Sequence, residues 1–274
     1  MDLPVAVGVD TSTASLAAAD WAASEAAVRD RPLRVLHALP LMPHLLPGGT
    51  RRSQLDGSRL LHEVRHVLAV RHPQVRAHAE EVHDVATAAL VAAAEAAELL
   101  VMAARGEGGF PGLRVGSTAL HVVARASCPT VLLPTEVTDA GPRDHLAVAV
   151  AVDARRPHGP ALDFAFEAAR RHGLPLRALH VFPPSGPVGL AAEREVEAAL
   201  LASVLVPWRV ARPDVEVSWD AEPAGVGLVL VEASGKARLL ILGRRPGATA
   251  GRLGPVAHAV LHHAACPVAV VPGV

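Results

Sequence analysis

The chain has no tyrosine and only 3% aromatic residues, and its 26 basic and 27 acidic residues leave a net charge of −1 over 274 positions. Proteins that hold single-stranded nucleic acid stack the bases on aromatic side chains. Proteins that bind nucleic acid or an anionic membrane also present a basic surface. The composition therefore predicts a protein with neither a nucleic acid nor a membrane as its partner.

Only two cysteines are present, Cys128 and Cys266, and each precedes a proline and an apolar run. This context predicts a small buried side chain at the start of a strand. We do not expect a disulfide or a zinc site, because neither cysteine has partners at a suitable spacing.

Long apolar runs are also missing. The alanine-rich stretch before Met102 is interrupted by Glu95 and Glu98, so no segment is expected to span a bilayer. The N-terminus has the acidic Asp2 where a signal peptide has basic residues. The stretch before Asp10 is also too short for the apolar region of a signal peptide. We therefore expect a cytoplasmic protein.

Predicted strands and helices alternate along the chain. The run PVAVGV (4–9) predicts a strand, and Thr11, Ser12 and Thr13 are N-cap candidates for an alanine-rich helix that ends near Arg29. Similar strand and helix patterns follow in turn. Such alternation predicts a parallel, doubly wound sheet with right-handed crossovers.

The second half of the sequence repeats the first. VAVGVD ends at Asp10 and VAVAVD at Asp153, and LHA with His37 returns at the same interval as LHV with His180. The run CPTVLLP that starts at Cys128 returns as CPVAVVP. A polar Gly/Pro segment lies between the halves, so we predict two domains of one fold, residues 1–137 and 144–274.

A glycine-rich segment in the first half joins a predicted strand to a predicted helix. The strand is the apolar run Leu99–Met102, and the helical pattern begins after Gly116. Glycine lets the backbone approach an anion closely, and a helix N-terminus favours negative charge, so this arrangement can form a phosphate cradle. The segment lacks the lysine of a P-loop and the third glycine of the dinucleotide fingerprint. A purely structural turn is the alternative.

The spacing of Ala103, Gly106 and Gly116-Ser117 resembles the glycine signature of nucleotide-binding universal stress proteins, with Ala103 in place of the first glycine. With the repeated strand ends, the whole chain is similar to the tandem universal stress proteins of actinobacteria. The resemblance implies two α/β domains, each with a doubly wound, five-stranded parallel sheet in the order 3-2-1-4-5. It also implies an intrachain pseudo-dimer of the two halves, and it leaves open a homodimer and an unknown protein partner.

The resemblance further implies an ATP site, with or without Mg²⁺, in the first half. Asp10 would accept from a ribose hydroxyl or help to hold Mg²⁺, although a turn or N-cap role is its alternative. His37 would line the adenine pocket, although a packed strand histidine is the preferred interpretation. The remaining implied residues either line the pocket or wrap the phosphates: Val9, Ala38, Met102, Ala103, Gly106, Gly108, Gly109, Gly116, Ser117 and Thr118.

Several residues depart from the family pattern. Ala103 would be strained if its position required a positive φ, and Glu107 would repel a triphosphate if its carboxylate pointed inward. The second half keeps Gly243 but has Pro255 where Ser117 stands, so an N–H and a hydroxyl are lost together. We therefore predict that the second half binds ATP poorly or not at all.

No catalytic residues are assigned, because neither a nucleophile elbow nor a poised general base is found. His258 and His262 share a helix face, and we interpret them as surface histidines. The sequence thus indicates a universal stress response protein that binds ATP in its first domain and acts as a regulatory module. The alternatives are a ligand-free scaffold for interactions and a weak ATPase with slow hydrolysis.

Overall fold

The computed structural model describes residues 2–39, 49–107, 114–135, 147–186, 189–244 and 251–273. The chain divides into two compact units. The first consists of Met1–Thr135 with Ala250–Arg252, and the second of Glu136–Thr249 with Leu253–Val274.

The first unit alternates strands and helices throughout. Its elements are β1 (Val5–Gly8), α1 (Thr13–Arg29), β2 (Leu33–Ala38), α2 (Gly49–Arg71), β3 (Ala77–Val82), α3 (Ala86–Glu95), β4 (Leu99–Ala103), α4 (Ser117–Arg125) and β5 (Thr130–Leu133). All strand pairs are parallel, in the order β3-β2-β1-β4-β5. The predicted doubly wound class is thereby confirmed for this unit.

Burial explains why these residues form these elements. All five residues of β4 are buried, as expected of a central strand with helices on both faces of the sheet. Helix α1 starts at the N-cap Ser12, whose side chain accepts from the Ser15 N–H. Its buried face is mostly alanine, which lets the helix axis lie close to the sheet. The chain therefore leaves β1 through a short, tightly held turn, Val9–Ser12.

The second unit repeats this architecture. Its elements are β6 (Ala147–Ala151), α5 (Gly159–His172), β7 (Leu176–Phe182), α6 (Leu190–Ala211), β8 (Val217–Pro223), α7 (Val226–Ser234), β9 (Ala237–Arg244), α8 (Pro255–His263) and β10 (Val268–Pro272). The strands are again parallel, in the order β8-β7-β6-β9-β10. The repeat predicted from the sequence is thus a repeat of one fold.

None of the helices within the described residues combines the length and apolar character needed to cross a membrane.

Candidate functional site

A cavity of about 520 Å³ lies in the first unit where β1, β2 and β4 end. In an open α/β sheet, ligands bind outside the carboxyl ends of the strands, where the strand order reverses. The reversal here falls between β1 and β4, because β2 pairs with one edge of β1 and β4 with the other. The cavity is therefore at the position that this fold offers to ligands.

The cavity brings together most of the residues singled out from the sequence. Those that line it are Val9, Asp10, Ala38, Met102, Ala103, Gly106, Gly116, Ser117 and Thr118. Gly108 and Gly109 lie outside the described residues. His37 is not among the lining residues.

His37 instead joins two strand ends. Its Nδ1–H donates to the Val9 carbonyl oxygen at 2.9 Å. The outer edge of its ring faces α2, where a Cβ added at Gly57 would lie 3.0 Å from His37 Cδ2. The structure thus places His37 against the end of β1 and the Gly57 position of α2, and not among the residues that line the cavity.

Ala103 causes no backbone strain. Among the described residues other than glycine, only Asp30 has a positive φ. Ala103 is the buried last residue of β4, with extended backbone that an alanine adopts freely. The replacement of the first signature glycine by alanine is therefore harmless to the fold.

The Asp10 carboxylate is held by backbone and side-chain donors on both of its oxygens. Oδ1 accepts from the Ser12 N–H at 3.0 Å and from the Ser12 hydroxyl, and Oδ2 accepts from the Glu107 N–H at 2.7 Å. Burial alone raises the pKa of Asp10, but these hydrogen bonds outweigh it and hold the net pKa below the ordinary 3.8. Asp10 is therefore an ionised group that fastens the β4–α4 loop to the β1–α1 turn.

Gly106 is needed for the approach of this carboxylate. A Cβ at position 106 would lie 2.2 Å from Asp10 Oδ2, far inside van der Waals contact, and its three nearest heavy atoms all belong to Asp10. Gly116 differs, because a Cβ there would meet nothing closer than the Ala104 carbonyl oxygen at 3.7 Å. Gly106 thus makes room for the Asp10 carboxylate, whereas Gly116 leaves open space beside the cavity.

The N-terminus of α4 opens toward the cavity. Gly116 is the N-cap and offers no side-chain oxygen, and the first α-helical bond runs from the Leu120 N–H to the Gly116 carbonyl oxygen at 3.1 Å. The N–H groups of Ser117, Thr118 and Ala119 precede that bond, and all three residues line the cavity. Unused N–H groups and the helix dipole favour an anion at this place.

A second carboxylate lies beside the cavity. The exposed Glu107 accepts a hydrogen bond from the Thr11 hydroxyl through Oε2. Glu107 therefore places negative charge next to the loop that the resemblance assigns to phosphates. In the described part of the chain, no three or more His, Cys, Asp or Glu side chains are grouped so as to hold a metal ion.

Some lining residues were missed in the sequence. Ser15 exchanges hydrogen bonds with Asp10, since the Asp10 N–H donates to its oxygen at 3.1 Å and its hydroxyl contacts the Asp10 carbonyl oxygen at 2.7 Å. The sequence offered one signal for Ser15: it is a hydroxyl residue in the first turn of the helix that follows the strand ending before Asp10. Leu90 of α3 also lines the cavity, and it gave no signal beyond that of a core leucine.

In the second unit, the position of the first signature glycine is covered by a histidine. Ala103 of β4 and Gly243 of β9 are equivalent positions in the two units. Each lies two residues after the residue, Val101 or Ile241, that pairs with the corresponding valine of β1 or β6. A Cβ at Gly243 would lie 2.6 Å from His158 Cγ. His158 is fixed there, since Nδ1 accepts from the Ala161 N–H and Nε2–H donates to the Arg244 carbonyl oxygen, each at 3.1 Å. An imidazole thus takes up space at the place where the first unit has its cavity.

The second unit also holds an ionic cluster of the buried His180 and Glu197 with the exposed Arg155. His180 matches His37 and contacts the Val152 carbonyl oxygen at 3.1 Å through Nδ1, while Nε2 contacts Glu197 Oε2 at 3.0 Å. Glu197 also pairs with Arg155. Burial raises the pKa of Glu197, but its hydrogen bonds with Arg155 and His180 outweigh this and lower it overall. The cluster fastens α6 to the end of β6.

Comparison with known proteins agrees with this architecture. A model described as the Universal stress protein family matches residues 3–134 and 147–272. A universal stress protein of Mycobacterium tuberculosis is 32% identical over 287 residues, covering 97% of this chain and 96% of the relative.

Two solved structures from Archaeoglobus fulgidus are also similar. One universal stress protein superimposes with a TM-score of 0.72 at 15% identity, covering 99% of this chain and 96% of its own. A second, in complex with dAMP, is 25% identical and covers 46% of this chain and 97% of its own, with a TM-score of 0.35. The first of these supports the α/β fold of both units.

Proposed function

Because the chain belongs to the universal stress protein family, with one family domain in each half, we propose that its first unit binds ATP as a regulatory module. The observation that carries the proposal is the cavity of about 520 Å³, whose lining combines apolar side chains with the open N-terminus of α4. A nucleotide needs both surfaces, one for the base and one for the phosphates.

The lining divides naturally between the parts of a nucleotide. Leu36, Ala38, Leu90 and Met102 supply apolar contact for the base. The N–H groups at the start of α4, together with the hydroxyls of Ser117 and Thr118, supply donors for phosphate oxygens. Asp10 is ionised and fixed in position, so it accepts from a ribose hydroxyl without reorganising. If Mg²⁺ accompanies the nucleotide, the Asp10 and Glu107 carboxylates are the oxygen ligands at hand.

The second unit does not take part in this binding. His158 covers the place of the first signature glycine, and Pro255 opens α8 without an N–H group. One nucleotide per chain is therefore expected. The asymmetry lets occupancy of one unit alter the surface that the protein presents, while the other unit stays unchanged.

A ligand-free scaffold is the second candidate, and one observation favours it. The Glu107 N–H, which would otherwise face a phosphate, already donates to Asp10. An internal carboxylate thus uses one loop donor, and the Glu107 carboxylate adds negative charge nearby. On this view the first unit keeps the family fold and serves only for protein interactions.

A matched pair of variants separates these candidates. Gly116→Val places a side chain in front of the α4 N–H groups, while its Cβ meets only ordinary contacts. Gly254→Val makes the same change at the N-cap of α8, where a Cβ meets nothing within 4 Å. Calorimetry with Mg-ATP should show binding to the wild type and to Gly254→Val, and none to Gly116→Val. Absence of binding to the wild type would favour the scaffold, and phosphate release with turnover would favour a weak ATPase.

A further inference from the structure

The last helix of the second unit carries three histidines near its C-terminus. His258 and His262 are one helical turn apart, and their ring centroids are 4.5 Å apart at an interplanar angle of 30°. His263 points elsewhere, with its ring centroid 6.4 Å from that of His262. Residues four apart on a helix lie one above the other, so His258 and His262 form a pair on one face.

One nitrogen of this pair lacks a hydrogen-bond partner. Within the described residues, His262 Nε2 is the one buried side-chain nitrogen or oxygen for which no partner is found. Buried polar groups are almost always satisfied, so an exception in a native fold calls for a water, an ion or a functional role. In the tautomer that carries its proton on Nδ1, His262 presents the lone pair of Nε2, and such a nitrogen is a ligand for a transition metal.

The fold itself does not require these histidines. Helix α4 is the counterpart of α8 in the first unit, with Leu120 at the place of His258 and Ala124 at the place of His262. Both buried residues of α8 correspond to buried residues of α4, Val260 to Val122 and Leu261 to Val123. The same packing therefore forms without any imidazole on this face, and the histidine pair is an addition specific to the second unit.

From the juxtaposition of His258, His262 and the unpartnered Nε2 we propose that α8 binds one late first-row transition-metal dication of the Zn²⁺, Ni²⁺ or Cu²⁺ class. Imidazoles spaced i and i+4 on a helix can ligate one ion together, and borderline metals of this class prefer nitrogen ligands. Two protein ligands are fewer than a structural zinc site has, so water completes the coordination. The bound ion is consequently exchangeable, and its two ligands are not among the residues that line the cavity of the first unit.

In the test, each histidine of the pair is replaced by the residue that α4 has at the equivalent position. His258→Leu and His262→Ala each remove one ligand, and His263→Ala is the control that removes the neighbouring imidazole. Calorimetric titration of the full chain with Zn²⁺ alone, repeated with Ni²⁺, should give saturable binding of one ion per chain. Binding should be retained in His263→Ala and lost in each of the other two variants.

Two results would overturn the proposal. One is the absence of saturable Zn²⁺ and Ni²⁺ binding by the wild type, and the other is binding that persists undiminished in either His258→Leu or His262→Ala. Circular dichroism of each variant before titration keeps a failure to fold distinct from a loss of ligand. Omission of nucleotide keeps the outcome independent of ATP binding in the first unit.

Discussion

The contact between Gly106 and Asp10 leads to a quantitative prediction about stability. In Gly106→Ala the new Cβ would lie 2.2 Å from Asp10 Oδ2, so the carboxylate must move. Movement breaks its bond with the Glu107 N–H at 2.7 Å. A hydrogen bond to a charged group contributes about 1.5–3 kcal/mol, so we expect the first unit to lose about 2 kcal/mol of unfolding free energy.

The same geometry predicts that the cost disappears when Asp10 is absent. The three nearest heavy atoms to the new Cβ all belong to Asp10, and Gly106 lies outside the left-handed region that disfavours alanine. Gly106→Ala in an Asp10→Ala background should therefore change stability by less than about 0.5 kcal/mol, or increase it slightly by restricting the unfolded chain. The coupling energy of the double-mutant cycle is expected to be about 2 kcal/mol.

Tryptophan fluorescence during urea unfolding can follow the first unit by itself. Trp21 lies in the first unit, and the other two tryptophans, Trp208 and Trp219, lie in the second. A Trp208→Phe/Trp219→Phe background, common to all four members of the cycle, leaves Trp21 as the reporter. A coupling energy near zero would refute the reasoning, whether Gly106→Ala costs nothing in both backgrounds or the same amount in both.

Three further predictions follow from individual contacts. Glu107→Gln should tighten the binding of ATP without Mg²⁺ by about two- to fivefold in calorimetry, because a carboxylate that repels the phosphates leaves the cavity mouth, and weaker binding would contradict this. Glu197→Ala should cost the second unit about 3 kcal/mol in urea unfolding, since it leaves His180 without its buried partner; a cost below about 1 kcal/mol would show that the cluster is not stabilising. The lowered pKa of Asp10 means that its contribution to stability is fully present above its ordinary 3.8 and is lost as pH falls through the folded value. The stability difference between wild type and Asp10→Asn should accordingly shrink on acidification below about pH 4, and a difference that grows would be contrary evidence.

The fold was largely predictable because hydrophobic patterning and the internal repeat both act at the level of whole elements. The apolar run Leu99–Met102 became the buried strand β4, and Ser12 became the N-cap of α1. These outcomes depend on local propensity and burial, which a sequence displays directly. The intrachain pseudo-dimer of the two halves stays a prediction.

The site was less predictable because it depends on where side chains turn. The glycine spacing identified Gly106, but not that its lack of a Cβ makes room for Asp10. The resemblance implied His37 as a pocket residue, whereas in the structure it bonds to the Val9 carbonyl oxygen and is not among the residues that line the cavity. The role of His158 in the second unit had no sequence signal, since it depends on the distance between α5 and β9. Spacing along the chain indicates which backbone segments meet. Which side chains fill the space between those segments depends on the tertiary structure.

The central claim is that the first unit binds an adenine nucleotide and the second does not. It is tested most directly by purifying the full chain without added nucleotide, denaturing it, and quantifying the released adenine nucleotides by chromatography with mass detection. We predict about one nucleotide per chain, abolished by Gly116→Val and retained in Gly254→Val. Absence of released nucleotide, together with no uptake of added Mg-ATP by calorimetry, would contradict the claim, and two nucleotides per chain would contradict the prediction that the second unit does not bind ATP.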